Sequence, residues 1–86
     1  MFMHKGWLHL TSSEMVKLMK PRITREAFNK RVRNGYPEPT LVIPYGDRNR
    51  YYFSEPVAKE WLTRNTIFTE EEIQDKLNEL KEKVKE

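Results

Sequence analysis

Residues 24–35 read Thr24-Arg25-Glu26-Ala27-Phe28-Asn29-Lys30-Arg31-Val32-Arg33-Asn34-Gly35, a basic stretch with helix signals at both ends. Thr24 is a residue type that caps helix N-termini, and Gly35 accepts the left-handed conformation that often ends a helix. At 100° per residue, Phe28 and Val32 fall on one side, so they should anchor the helix in a core. The other side is cationic and is left for a ligand.

The polar side of this predicted helix carries residue types that suit DNA. Arg and Lys pair with guanine acceptors or phosphates, Asn pairs with adenine, and Glu accepts from the cytosine amino group. We therefore predict that the helix and the turn before it contact DNA through Arg22, Arg25, Glu26, Asn29, Lys30 and Arg33. Within this set, Asn29 and Lys30 are expected to help specify sequence. An ordinary solvated helix face is the alternative.

A basic hairpin is predicted after the helix. The β-branched or aromatic runs Leu41-Val42-Ile43 and Tyr51-Tyr52-Phe53 flank the turn Gly46-Asp47-Arg48-Asn49-Arg50. Pro44 cannot donate to a β-ladder and belongs at a strand edge or end. As a wing, the hairpin is expected to contact phosphates or a narrow minor groove through Arg48, Asn49 and Arg50, with Asn49 in a left-handed turn conformation. A plain solvated hairpin tip is the alternative.

Two more helices surround this unit in the prediction. Thr11 and Glu14 have the spacing of a capping box, and Pro21 stops the helix that they begin. Ser54 is expected to cap a helix whose buried stripe is Val57, Ala58, Trp61 and Leu62. The alternating segment Trp7-Leu8-His9-Leu10 is predicted as a short strand before the first helix.

The last predicted helix begins at a capping box of Thr69 and Glu72. An apolar seam follows at intervals of four, three and four, the alternation of a coiled coil: Ile73, Leu77, Leu80 and Val84. We predict that this seam joins two chains as a homodimer, and packing on its own domain is the alternative. The chain is thereby divided into a winged helix DNA-binding domain, 1–66, and a C-terminal amphipathic helix, 67–86.

The net charge of +3 is unevenly distributed. Residues 1–66 hold twelve Lys and Arg against six Asp and Glu, whereas residues 67–86 hold four against seven. A basic body suits a polyanion such as double-stranded DNA, and an acidic tail suits solvent or another protein. Because apolar stretches are short and no signal peptide is recognisable, we expect no membrane contact and a cytoplasmic location in a bacterium or phage-infected cell.

Catalysis is not predicted. The chain has no cysteine, and His4 and His9 are its only histidines, without an Asp/Glu cluster in the neighbouring sequence. We therefore expect neither a metal site nor a cofactor. Helix capping explains Ser12 and Ser13 more simply than a nucleophile does. Trp7 and Trp61 are expected to pack in the core or on the wing.

Several segments, spread over about residues 7–64, resemble one family. Leu10-Thr11-Ser12-Ser13-Glu14-Met15-Val16, Ile23-Thr24-Arg25, Asn34-Gly35-Tyr36-Pro37-Glu38-Pro39 and the run from Tyr52 to Leu62 are similar to the excisionase and prophage-regulator group of MerR-like winged helices. The resemblance implies sequence-specific DNA binding without catalysis, with helix two in the major groove and the wing in the adjacent minor groove. Such proteins bend recombination sites to direct an integrase towards excision, as recombination directionality factors, or regulate nearby promoters.

The predicted fold is therefore α+β and mostly helical: a small winged helix-turn-helix domain with a two-stranded wing and a C-terminal amphipathic helix. The turn Lys20-Pro21-Arg22 and the acidic tail depart from the family pattern. Phage terminase small subunits join a similar domain to a helical oligomerisation segment, so the recognition module of a terminase or transposase is an alternative. A protein-interaction adaptor working through the C-terminal helix is an alternative from another class.

Overall fold

Eight elements of regular structure follow one another in a computed structural model that describes residues 1–85. In chain order they are β1 (Phe2–His4), β2 (Trp7–Thr11), α1 (Ser12–Lys17), α2 (Arg25–Arg33), β3 (Leu41–Tyr45), β4 (Arg48–Ser54), α3 (Glu55–Asn65) and α4 (Glu70–Lys85). The predicted α+β class is confirmed, but helices make up only 49% of the chain, so the description as mostly helical is wrong. Glu86, the end of the predicted segment 67–86, lies outside the described residues.

The four strands form one antiparallel sheet in the order β1-β2-β4-β3. The predicted hairpin is present as β3 and β4, and Ile43 pairs with Arg50. It is not an isolated two-stranded unit, because the end of β4 also pairs with β2, where Phe53 lies opposite Leu10. The hairpin is therefore one side of a larger sheet that is continuous with the core.

Strand β1 is an element that the sequence does not predict. Residues 2–4 are too few to show an alternating pattern, and they are joined to β2 by the turn Lys5-Gly6. Both turn residues have positive φ, 52° and 84°, as in the type I′ turn that closes tight hairpins. The N-terminal residues thus add an edge strand in which Met3 pairs with Leu8.

The β3–β4 hairpin closes through a turn of two residues, Gly46 and Asp47. Gly46 has a φ of +63° at the first turn position, as in a type II′ turn. The expectation that Asn49 adopts a left-handed turn conformation is wrong, because Asn49 lies within β4 opposite Pro44. Glycine supplies the positive φ without a steric penalty, so the turn needs no help from asparagine.

Strand β3 is a free edge of the sheet. In a two-residue hairpin the residues beside the turn share hydrogen bonds, and the pattern alternates from there, so the backbone of residue 44 faces away from β4. Pro44, which has no N–H, therefore removes no bond from the hairpin, and its predicted place at a sheet edge is confirmed.

The predicted helix starts are largely confirmed. Thr11 and Glu14 form a complete capping box, in which each backbone N–H donates to the other side chain, at 2.9 and 3.3 Å. Thr69 and Glu72 form a second one, at 3.1 and 3.2 Å. Ser54 occupies the N-cap position of α3, but its side chain makes no capping bond. Its hydroxyl oxygen instead accepts from the Thr40 hydroxyl at 3.0 Å.

Helix α1 ends before the proline that was expected to stop it. Its last residue is Lys17, and Leu18 is the C-cap. The N–H of Leu18 donates to the Met15 carbonyl at 3.1 Å and the N–H of Met19 to the Val16 carbonyl at 3.2 Å, the shorter spacing of a tightened last turn. Pro21 therefore lies in the loop to α2, three residues beyond the cap.

One hydrophobic core joins the sheet to the helices. Its buried side chains are Leu8, Leu10, Met15, Met19, Phe28, Val32, Phe53, Ala58, Trp61, Leu62, Ile73 and Leu77. The predicted stripe on α3 is confirmed at its three buried positions, while Val57 is partly buried. Trp7 differs from the prediction: it is 50% exposed, because it begins β2 beside the tight turn rather than facing the core.

Helix α4 packs against α3 and shares this core. Two positions of its seam, Ile73 and Leu77, are completely buried, and Leu80 and Val84 are partly buried against the same cluster. The geometry favours the alternative that the seam packs on its own domain, and self-association through it stays a prediction. In the described part of the chain, no helix has the length and apolar character to cross a membrane.

Candidate nucleic-acid interface

Helix α2 is fixed to the core by its apolar side, as predicted. Phe28 is completely buried, and its ring meets Phe53 and Trp61 edge-on with centroid distances of 5.4 and 5.1 Å. Val32, one turn further along, is 6% exposed. The contacts of the Phe28 ring with these two rings hold the helix in one rotation about its axis. The polar side of α2 is therefore presented in a defined direction.

The residues predicted to contact DNA from α2 and the turn before it differ in exposure. Five are exposed: Arg22, Arg25, Glu26, Lys30 and Arg33. Asn29 is partly buried, and its Oδ1 atom is buried without a hydrogen-bond partner among the described residues. Four cations against one carboxylate give this surface a positive potential that favours an anionic ligand.

The β3–β4 hairpin carries the second set of predicted residues. Arg48, Asn49 and Arg50 are all exposed, and all three lie in β4 rather than in the turn. The Arg50 guanidinium lies over the Tyr45 ring, 5.1 Å from its centroid, on the neighbouring strand. Such a contact orients the arginine and leaves its N–H groups free to donate.

A groove of about 550 Å³ lies between α2, the start of α1 and the hairpin. We call it the α2–hairpin groove. It is lined by Thr11, Ser12, Ser13, Arg25, Asn29, Tyr45, Arg48, Asn49, Arg50 and Tyr51. These described lining residues include three guanidinium groups and no carboxylate. The groove therefore offers donors to a polyanion from two elements that are far apart in sequence.

The groove brings together five of the nine residues predicted to contact DNA: Arg25 and Asn29 from α2, and Arg48, Asn49 and Arg50 from β4. Arg22, Glu26, Lys30 and Arg33 lie outside its lining as the structure describes it. All four are exposed, three of them on α2 and Arg22 in the loop before it. The predicted set is thus divided into a groove group and a flanking group.

Other residues of the groove were not predicted to belong to it. Ser13 Oγ accepts a hydrogen bond of 3.4 Å from Arg25 Nη1, which links α1 to α2. From the sequence, Ser12 and Ser13 are recognisable only as residues of a helix start. Nothing in the neighbouring residues indicates that this start lies beside α2. Tyr45 and Tyr51 enter the lining through the hairpin register, which also cannot be read locally.

The two histidines lie in the strands β1 and β2. His9 is 2% exposed, its Nδ1 lies 3.0 Å from the Trp7 carbonyl oxygen, and the Phe2 ring stacks on it at 5.5 Å. His4 contacts His9 edge-on at 5.4 Å. Within residues 1–85 no group of three or more His, Cys, Asp or Glu side chains is placed to hold a metal ion.

Helix α4 contributes an acidic surface and no residue of the groove lining as described. Its first turn holds Glu70, Glu71 and Glu72. The hydrogen bonds from the backbone N–H and the hydroxyl group of Thr69 hold the pKa of Glu72 below its ordinary value. The carboxylate therefore stays ionised where it caps the helix. A surface of this charge repels phosphates, so we do not expect α4 to contact DNA.

Comparisons of the chain with protein-family models, with curated proteins and with solved structures found no match.

Proposed function

We propose that the protein binds double-stranded DNA in a sequence-specific manner, as a winged helix-turn-helix protein. Helices α1 and α2 form the helix-turn-helix, and the β3–β4 hairpin is the wing. The observation that carries the proposal is the α2–hairpin groove, in which Arg25, Asn29 and three residues of β4 converge without an opposing carboxylate among the described lining residues.

The dimensions of α2 suit this role. Its nine residues make a helix about 13 Å long, and an α-helix fits the major groove of B-DNA, which is about 12 Å wide. With Phe28 and Val32 holding the inner side, the outer side of α2 meets base edges while its arginines reach the backbone. The wing, anchored in a four-stranded sheet, then lies over the adjacent phosphates or minor groove.

The motif resemblance extends the proposal to a biological role. We propose that the bound DNA is a recombination site or promoter of a mobile element, where the protein acts as an excisionase-like directionality factor or a transcriptional regulator. An integrase is then the expected protein partner. A terminase or transposase module would use the same surface on a different DNA site.

Binding should depend strongly on salt. Six cations of α2, the loop before it and β4 are exposed: Arg22, Arg25, Lys30, Arg33, Arg48 and Arg50. They could neutralise roughly four to six phosphates, which predicts a slope of about −4 to −5 for log K against log salt concentration. Fluorescence anisotropy with a labelled duplex of 20 or more base pairs measures this slope.

Matched charge changes test whether the wing is part of the interface. Replacing Arg48 and Arg50 by Gln should make the slope less negative by about 2. Replacing Lys76 and Lys83 of α4 by Gln removes the same charge from the acidic helix and should leave the slope unchanged. A wild-type slope near zero would contradict DNA binding and favour the adaptor alternative.

A further inference from the structure

The α2–hairpin groove contains one polar atom whose hydrogen bonding is incomplete. Asn29 Oδ1 is buried from solvent and has no donor within reach among residues 1–85. Almost all buried side-chain oxygens in folded proteins have a partner, so each exception needs a reason. Here the atom belongs to a groove residue that lies next to Arg25 and opposite the hairpin.

We propose that Asn29 reads an adenine, and that its side-chain oxygen is satisfied only when the adenine amino group donates to it. The inference rests on the proposed function, since it names the base that the same surface recognises. In this proposal Asn29 recognises the base, and the arginines around it bind phosphates and hold the duplex in place.

The chemistry of the missing partner excludes phosphate as the ligand of this atom. Oδ1 is an acceptor and needs a donor, whereas phosphate oxygens of DNA only accept. The arginines of the groove and Lys30 carry donors alone, so phosphates or guanine acceptors satisfy them fully. Asn29 therefore differs from its cationic neighbours: its oxygen calls for an amino group, which DNA presents on its bases.

Of the base amino groups in the major groove, adenine's suits an asparagine best. Adenine places the N6 donor beside the N7 acceptor, so one carboxamide can accept at Oδ1 and donate from Nδ2 at the same time. The cytosine amino group has no acceptor next to it on the same base in that groove. Because Oδ1 is buried in the DNA-free structure, the contact requires the Asn29 side chain to change its rotamer so that the whole carboxamide faces the groove. The helix itself stays in place, since Phe28 and Val32 anchor it in the core.

The test begins with selection of binding sites from random duplexes by the wild type, by Asn29→Ala and by Asn78→Ala. Asn78 is an exposed asparagine on α4, so its variant controls for the chemical change itself. We expect one position with a strong adenine preference for the wild type and the Asn78 variant. In the Asn29→Ala selection that preference should be lost at this position and kept elsewhere.

Base analogues then identify the atoms in the wild-type complex. Replacing the selected adenine by 7-deazaadenine removes N7, and replacing it by purine removes the amino group. Each should weaken wild-type binding about tenfold, and neither should affect Asn29→Ala further. The analogues act on the DNA, so they decide the question even where the alanine variant folds poorly.

The outcomes separate the two proposals. The adenine assignment would be overturned, with DNA binding intact, by either of two results. In the first, the duplex binds in a salt-dependent way but Asn29→Ala changes no adenine preference. In the second, neither analogue weakens binding. Absence of duplex binding by the folded wild type at low salt would overturn the proposed function itself.

Discussion

Among the described residues other than glycine, Lys5 is the one with a left-handed backbone, at φ 52°. A β-carbon in this conformation is strained by about 1–2 kcal/mol, and asparagine tolerates it better than lysine does. The following Gly6 completes the type I′ turn, for which Asn-Gly is the preferred pair. Lysine at this position therefore lowers the stability of the turn that joins β1 to β2.

We predict that Lys5→Asn stabilises the protein by about 0.5–1 kcal/mol, because it relieves this strain. Urea unfolding at fixed salt measures the change. Lys20→Asn removes the same charge from an exposed loop residue with a negative φ and should stay within about 0.5 kcal/mol of the wild type. A loss of stability in Lys5→Asn would show that the turn does not have the conformation described.

Residues also show where sequence reasoning succeeds. The capping boxes of Thr11 and Thr69 were predicted correctly because every atom involved lies within four residues. The burial of Phe28 and Val32 followed from helical spacing in the same way. The unpartnered oxygen of Asn29 could not be predicted, since it results from which groups of α1 and the hairpin come near it.

Helix α4 is attached to α3 by polar contacts as well as by its apolar seam. Glu55 is only 7% exposed, and its Oε2 atom lies 2.8 Å from Lys81 Nζ and 3.2 Å from Gln74 Nε2. A carboxylate so buried needs its cation, because the loss of one partner leaves an uncompensated charge. Lys81 keeps partial access to water, which moderates the effect.

We predict that Lys81→Met destabilises the protein by roughly 1–3 kcal/mol, since Glu55 then retains only Gln74. The double variant Glu55→Gln/Lys81→Met should recover much of the loss, because no buried charge remains. Chemical unfolding of the four proteins of this cycle gives the coupling energy. Additive losses would mean that the ion pair seen between α3 and α4 contributes nothing in solution.

Elements were predicted best where they are long and worst where they are short. The bounds of α2 and the start of α4 agree with their caps, whereas β1 was missed and α1 was expected to continue towards Pro21. Short elements depend on pairing with distant parts of the chain, as β1 does with β2. The groove has the same origin: its two halves were each predicted, but their meeting depends on the sheet that joins them.

The apolar seam of α4 determines whether the C-terminal helix belongs to the same folded unit as the rest of the chain. Ile73 and Leu77 are fully buried in the same cluster as Trp61, so they cannot join a second chain without leaving it. Leu80, nearer the end of the helix, is partly exposed. The coiled-coil spacing was read correctly from the sequence, but spacing alone does not say which surface covers the seam.

We predict that Leu77→Ala costs about 2–5 kcal/mol in unfolding free energy, a large share of the stability of a domain of this size. Leu80→Ala, the same change at a partly exposed position of the seam, should cost clearly less. Sedimentation equilibrium should find the DNA-free wild type monomeric. A concentration-dependent dimer that Leu80→Asp dissociates would instead support the homodimer predicted from the sequence.

Pro44 has a consequence for the protein at high concentration. Strand β3 has an exposed apolar surface: Val42, Ile43 and Tyr45 are 47, 44 and 70% exposed. Strands of other chains can add to exposed apolar edges of this kind and start fibrils. An incoming strand needs a row of outward N–H groups, and Pro44, the fourth of the five residues of β3, interrupts that row. Pro44 therefore opposes the addition of a further strand to this exposed apolar edge.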